Sequence, residues 1–435
     1  MFAFTLTWAV PSAEAIPTWA QSFGIDGHGP DTQGFSGTGD DFPLGIAAMP
    51  DGGVAVVGKL SYPTSSTATT ASLATDALIR YAADGSILWK KTLRGDRSNY
   101  STDGAQRSAR IVSDSQGNIF VASIFKDALQ SGGQDITFAA KFSPNGDVIW
   151  QNNLGGSASD GAHPLVSGEF YSLSLAPNGN LVLTCASAPA GGGLSFPALF
   201  VVNGATGNVI FRRQYRNPNA QYLPAQAGCG SLDGTKYLFC TPYNDLSVIV
   251  TNAAGDILDA KNYFTNYQRL GATMSIPTAD GDFVVMSGNV IRKIGADDVT
   301  VGGVTTTTLV TRFERILNYS GMTGHTIVQT ADGGYLIGGS ISVGGSDLPP
   351  NTSGRKAGVY KLNGQGVVTR VFAYGGFADE THYDQSTSAG LCSAVPTTDG
   401  GIALATDTLS YRNQPSFDQM KPDWWVVKTD ALGQI

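Results

Sequence analysis

DGGVAVVG, from Asp51 to Gly58, sets a polar Asp-Gly turn against an unbroken apolar run, and the phrase returns six more times. The further copies are QGNIFVAS (Gln116 to Ser123), NGNLVLTC (Asn178 to Cys185), DGTKYLFC (Asp233 to Cys240), DGDFVVMS (Asp280 to Ser287), DGGYLIGG (Asp332 to Gly339) and DGGIALAT (Asp399 to Thr406). Recurrence at this spacing marks a modular array, in which each unit buries its faces against its neighbours. A sheet with one wet face would alternate apolar and polar residues. VAVV, IFVA, LVLT and YLIG are nearly continuous instead, so both faces of these strands are expected to be covered.

Six of the seven units carry a second phrase downstream: DALIRYAADGSILW (Asp76 to Trp89), FAAKFSPNGDVIW (Phe138 to Trp150), ALFVVNGATGNVIF (Ala198 to Phe211), LSVIVTNAAGDIL (Leu246 to Leu258), AGVYKLNGQGVVT (Ala357 to Thr369) and DWWVVKTDALGQI (Asp423 to Ile435). Gly or Asn between apolar runs signals a hairpin, because tight primed turns need the positive φ that such residues accept. Each unit therefore reads as two hairpins, or four antiparallel strands. The fifth departs, since NVIRKIGADDVTVGG (Asn289 to Gly303) fits the second phrase only loosely.

Four-stranded units of roughly 40 to 60 residues have the size of propeller blades. A β-helix would need shorter repeats, and a β-sandwich would not repeat seven times. The expected fold is all-β: a single seven-bladed β-propeller of four-stranded antiparallel blades over residues 16–435. The last unit stops at Ile435, just after its second turn, and lacks a fourth strand. IPTWAQSFG (Ile16 to Gly24) places Trp19 where Trp89 and Trp150 stand in complete units. The N-terminal strand is therefore expected to close the last blade and remove an open edge, with an exposed linker as the alternative for Trp19.

Charged residues make up only 14% of the 435, against 55 glycines, which suits a turn-rich β protein. The net charge is −8 and Lys and Arg do not cluster, so no nucleic-acid partner is expected. No apolar run is long enough to span a membrane as a helix. Residues 1–15 resemble a signal peptide: FAFTLTWAV (Phe2 to Val10) reads as the apolar region and Ala13-Glu14-Ala15 as the cleavage site. The basic n-region is missing, which points to a start further upstream; a disordered tail is the alternative. Export would place the protein outside the cytoplasm, as a secreted, periplasmic or cell-surface molecule, and would permit disulfides. Cys229 and Cys240 flank the Asp233-Gly234 turn and could bridge it if that loop holds four residues, whereas Cys185 and Cys392 fall in different blades and read as buried thiols.

The stretch from Asp40 to Gly95 resembles the repeat of bacterial secreted propeller proteins, the SBBP-like group. Its units pair a "GG…D…I…DGGxxxxG" half with a "DxxxxKxxxxGxxxW" half. DWWVVKTDALG (Asp423 to Gly433) and VYKLNGQGVV (Val359 to Val368) match the second half. The resemblance implies an exported or surface propeller and implies no activity. VVNGATGNVIF (Val201 to Phe211) is similar to the tryptophan-docking repeat of quinoprotein dehydrogenases, with Phe211 for the usual Trp. One unit alone has that form, and no two cysteines are adjacent.

In a four-stranded antiparallel blade, the connections between second and third strands share one end of the ring with the connections between blades. The two tight turns lie at the other end. All the long inserts are therefore expected at one end: Ser61 to Thr75, Lys126 to Gly133, Val343 to Arg355 and Tyr411 to Pro422. The four histidines, His28, His163, His325 and His382, read as lying in blade-to-blade connections on that same side. Asp26 stands near His28, Asp160 near His163, and Asp379, Tyr383 and Asp384 near His382. His28, His163, His382, Asp379 and Tyr383 are the candidate ligand-binding residues. His28, Asp26, Asp160 and Asp384 are the candidate metal ligands, for Ca²⁺ or another divalent ion, because carboxylates are donors to all such ions and imidazole to the softer ones. For the aspartates, backbone hydrogen bonding in turns is the alternative role.

No nucleophile elbow, zinc motif, phosphate loop or cofactor fingerprint occurs, and no catalytic residue is assigned. The expected function is a binding or interaction module taking a protein or glycan partner on the long-loop face. The alternatives are a propeller enzyme acting on glycans or lactones with a metal at the channel mouth, and a structural surface or sheath protein.

Overall fold

The computed structural model describes residues 16–23, 42–63, 72–97, 109–126, 135–155, 170–187, 196–215, 227–243, 245–263, 273–317, 323–343, 354–375, 392–408 and 423–435. These form strands β1 to β28 in seven four-stranded antiparallel sheets. Blade 1 comprises β2 (Phe42–Ala48), β3 (Val54–Pro63), β4 (Ser72–Tyr81) and β5 (Ile87–Arg97). Blade 2 comprises β6 (Arg110–Ser113), β7 (Ile119–Lys126), β8 (Asp135–Phe142) and β9 (Val148–Gly155). Blade 3 runs through β10 (Phe170–Leu175), β11 (Asn180–Ser187), β12 (Phe196–Asn203) and β13 (Val209–Gln214), and blade 4 through β14 (Ala227–Gly230), β15 (Lys236–Tyr243), β16 (Asp245–Asn252) and β17 (Ile257–Tyr263). Blade 5 holds β18 (Thr273–Pro277), β19 (Phe283–Ser287), β20 (Val290–Val301) and β21 (Val304–Ile316). Blade 6 holds β22 (Thr323–Gln329), β23 (Tyr335–Val343), β24 (Gly354–Leu362) and β25 (Val368–Tyr374). Blade 7 has β26 (Cys392–Pro396), β27 (Ile402–Thr408) and β28 (Asp423–Thr429), and is completed by β1 (Trp19–Phe23), which pairs antiparallel with β28. Trp19 stands opposite Lys428, so the N-terminal strand does close the last blade. No helix long and apolar enough to cross a membrane occurs among the described residues.

The continuous apolar runs are explained by how a blade packs. Val54, Ala55, Val56 and Val57 are all fully buried. Ala55 and Val57 join a cluster with Ile119, Val121 and Phe142 of blade 2, while Val54 and Val56 join one with Ala403, Ala405 and Trp424 of blade 7. Alternate side chains thus enter opposite seams, as strand pleating requires. Seven such clusters fill the seven seams, and the one joining blades 7 and 1 closes the ring. The first strands β2, β6, β10, β14, β18, β22 and β26 line the centre, each against the next and β26 against β2.

The hairpin turns differ from the expected primed type in length. In blade 1 the Gly52 amide donates to Met49 O and the Met49 amide to Gly53 O, making a three-residue loop with one left-handed glycine at φ 81°. This is the type I turn followed by a G1 bulge, which needs positive φ once rather than twice. The Asp51 carboxylate accepts from the Gly53 amide, the Asx geometry favoured in such turns.

The repeated Lys and Asp of the two phrases meet. Lys428 on β28 reaches the Asp399 carboxylate in the turn between β26 and β27 at 2.5 Å. Arg80 meets Asp51 at 2.5 Å, Lys141 meets Asp114 at 3.7 Å, Lys361 meets Asp332 at 3.7 Å, and Lys293 pairs with Asp280. In blades 3 and 4, Val201 opposite Val182 and Val250 opposite Leu238 take the corresponding places. A second device covers an outer-turn glycine at the tight-turn end of six of the seven seams. The indole N–H groups of Trp19, Trp89 and Trp150 donate to Ala83 O, Pro144 O and Gly204 O in the next blade's outer turn. Those rings cover Gly85, Gly146 and Gly207, and Phe211, Phe313 and Phe372 cover Gly255, Gly366 and Gly433 in the same way.

Two expectations are corrected. Cys229 stands opposite Leu238 and Cys240 opposite Ala227, so the two cysteines are diagonal neighbours two residues out of register. Such a diagonal separates the Cβ atoms by about 7 Å, beyond the roughly 4 Å of a disulfide. Both are buried free thiols, as are Cys185 and Cys392, and burial pushes the Cys229 thiol up to about 12. The long inserts are also not confined to one end. In blade 5 the β19–β20 connection is a tight turn at Gly288-Asn289, and the outer hairpin is the part that lengthens, at the tight-turn end.

Candidate functional site

The sequence points to the end of the ring that carries the blade-to-blade connections. His28, His163, His382, Asp26, Asp160, Asp379, Tyr383 and Asp384 all lie outside the described residues, but the strands that bound their connections are described. Segment 24–41 leaves β1 and enters β2 of blade 1, segment 376–391 enters β26 of blade 7, and segment 156–169 enters β10 of blade 3. Because β26 lies against β2, the connections bearing His382 and His28 enter neighbouring blades. That bearing His163 enters with blade 2 between.

His325 falls in a strand rather than in a connection. It is the extra residue of a bulge on β22, between Gly324 opposite Gly339 and Thr326 opposite Gly338. Bulges re-aim a side chain out of the regular ladder, and this one sits where blade 6 begins. His325 is half-buried with both ring nitrogens buried.

Charged side chains at this end break the sevenfold pattern on blades 6, 7 and 1. Lys59 and Asp407 each occupy the sixth position of a second strand, in blades 1 and 7, where Ile124 stands in blade 2 and Ser340 in blade 6. Asp407 is 2% exposed and Lys356, the third residue of β24, is 6% exposed. A buried charge is retained only with partners, so these positions are built rather than incidental. The closing seam is tied beside them, where the Trp424 indole N–H donates to Lys59 O at 3.0 Å. Across the next seam the Ser123 hydroxyl donates to the Asp76 carboxylate. Burial pushes the Cys392 thiol up to about 12, and the neighbouring Asp407 charge adds to the shift, so that sulfur stays protonated and inert.

Asp76 begins the second phrase of blade 1. It lies inside β4, which begins at Ser72, whereas Asp135, Asp245 and Asp423 open β8, β16 and β28. Lys59, Lys356 and Asp407 are not among the candidates that the sequence pattern singles out. The available signal was a charge ending an otherwise apolar run, as in VAVVGK and IALATD. Among the described residues no three His, Cys, Asp or Glu side chains converge as a metal set. A metal at this end would therefore draw ligands from the connections as well.

No family model matches the chain, and no curated protein matches it. Among solved structures it is similar to a protein of unknown function from Bacteroides caccae, at 12% identity and a TM-score of 0.42, over 68% of this chain and 90% of that one. So distant a likeness carries no argument about function.

Proposed function

We propose that the protein is an exported or cell-surface binding module whose ligand, a protein or glycan, docks on the connection-bearing end over blades 6, 7 and 1. The observation that carries this reading is the break in sevenfold pattern there. Lys59, Lys356 and Asp407 depart from the repeat on three consecutive blades, and His325 takes the bulged place that Leu44 holds in blade 1 and Tyr171 in blade 3. The repeated charged residues are used up elsewhere, in the Lys–Asp and Arg–Asp pairs that brace the turns of five blades. Function on a repeat scaffold sits where copies differ, because residues common to all copies serve the common packing. The connections bearing His28 and His382 enter at the same place, and their histidines and carboxylates are suited to a divalent ion or to a polar ligand. The SBBP-like pattern of the repeats supports an extracytoplasmic setting.

The test replaces His28, His163 and His382 together with alanine in the full chain. Binding of Ca²⁺ and of Zn²⁺ is measured by calorimetry, and glycan binding on an array. Loss of wild-type binding with an unchanged urea midpoint supports the site; binding that survives the triple replacement sinks it.

A further inference from the structure

The outer hairpin of blade 5 is an arm. Its ladder begins at Val290 opposite Ile316 and continues without a break beyond a bulge at Lys293/Ile294 to Val301 opposite Val304. The pairs from Gly295–Val310 to the tip rise about 20 Å beyond the level at which the other outer hairpins turn. Gly302 and Gly303, at φ 60° and 81°, form the two-residue primed turn at the tip.

The base is anchored on blade 4. Leu309 is buried in the seam between blades 4 and 5, and its amide donates to the Asp259 carboxylate at 2.7 Å. Lys236 of blade 4 donates to Ala296 O at 3.0 Å and to the Asp298 carboxylate at 2.8 Å. One face of the ribbon, with Ala296, Asp298, Thr307 and Leu309, therefore leans on blade 4. The opposite face carries Val299, Val301 and Val304, which are 47%, 73% and 65% exposed. An arm held this way is ordered before it meets anything, so binding costs little further conformational entropy.

We propose that the protein self-associates through this arm, two copies packing valine face against valine face about a two-fold axis. Charge selects the occupant. The chain carries −8 overall, which opposes contact between copies, yet residues 299–311 contain no charged side chain. At the base of the valine face Asp297 is neutralised by Arg312. Two copies can therefore meet here without like charges facing, whereas a strongly charged partner would find no counter-ion. An isologous contact needs one self-complementary patch, and a β-branched ribbon face is one. Natural sheets guard exposed ribbons with charge, and this one is unguarded from Val299 to the tip and back. The arm alone is smaller than the roughly 20–30 residues a stable interface engages on each side. Val367 in the outer turn of blade 6, on the side away from blade 4, is exposed at the same end and extends the surface. Such a pair leaves the connection-bearing ends facing away from each other.

The test is sedimentation equilibrium of the full chain beside V301K/V304K, whose changes lie at an exposed tip and spare the fold. The wild type is expected to dimerise and the variant to bind itself at least about tenfold more weakly, since like charges then face across the two-fold. A V301C variant, all four native cysteines being buried, should form a disulfide-linked dimer on mild oxidation. A wild type that stays monomeric, or a dimer that V301K/V304K leaves intact, overturns the proposal. So does a monomer that instead adsorbs to phosphatidylcholine vesicles.

Discussion

Gly179 and Gly207 allow the aromatic seam to be weighed inside one blade. They close the two hairpin turns of blade 3 at φ 82° and 76°, so an alanine at either place meets the same left-handed strain, roughly 1–2 kcal/mol. Their surroundings differ. A methyl at Gly179 would find nothing within 4 Å, whereas one at Gly207 would lie 2.7 Å from the Trp150 ring of blade 2 and 2.8 Å from Asn152 Nδ2. The ring would have to move, adding an overpacking cost of about 1–3 kcal/mol. Its hydrogen bond to Gly204 O, 3.0 Å long, would weaken by up to about 1 kcal/mol. Gly179→Ala is therefore expected to cost about 1–2 kcal/mol and Gly207→Ala about 2–6 kcal/mol, the larger loss of the two. The assay is urea unfolding followed by circular dichroism at unchanged m-value, completed by a cycle with Trp150→Ala. In the W150A background the Gly207→Ala increment should fall toward the strain, about 1–2 kcal/mol, with only the contact to the mobile end of Asn152 left to relieve. Equal midpoints for the two glycine variants, or one increment in both backgrounds, would refute the seam argument.

The paired Lys and Asp residues predict a graded series. Lys428 is fully buried and donates to Gly52 O at 2.7 Å as well as to Asp399, so Lys428→Met strands buried acceptors at the closing seam and should cost about 2–4 kcal/mol by urea midpoint. Lys361→Met, where both partners are more than a third exposed at 3.7 Å, should cost no more than about 1 kcal/mol, and equal losses would contradict this ranking. In acid, burial works against the Asp399 charge but is outweighed by hydrogen bonds from Lys428 and Thr397, so its pKa lies below the ordinary value. A depressed carboxyl contributes stability that is complete above the unfolded value, about 3.9, and is lost as pH falls through the lower folded value. Stability should therefore drop more steeply below about pH 4 in the wild type than in K428M, and parallel curves would exclude the pair as the cause.

The ring was readable because continuous apolar runs admit one packing, and the Trp19 echo of Trp89 and Trp150 located the closing strand. The turns were legible only in part. Glycine announces a left-handed residue but not how many residues the loop holds, and loop length also sets the register that separates Cys229 from Cys240. The Lys–Asp pairs depend on which third-strand residue reaches the first turn, a relation invisible until β28 is laid beside β27. The connections that carry the candidate histidines repeat nothing, so the sequence could name their residues without arranging them. The described structure arranges only the strands that bound them.

Blade 5 was the unit the repeat pattern fitted least, and its seam with blade 4 shows why. At the place of Trp89, Trp150 and Phe211 blade 4 has Asp259, and blade 5 has no outer-turn glycine for a ring to cover because its strands run on into the arm. A large ring at 259 would occupy the space in which Leu309 enters the seam. A short carboxylate fits there and accepts the Leu309 amide, while Lys236 at the start of β15 donates to Ala296 O and to the Asp298 carboxylate. The loss of the aromatic and the gain of the arm are thus one coupled change. A random lapse of the repeat would have left a cavity at 259, whereas the seam is filled by buried Leu309, Ile294 and Tyr263. Such compensation marks the arm as a feature of the fold in its own right, set apart from the scaffold the other six blades share.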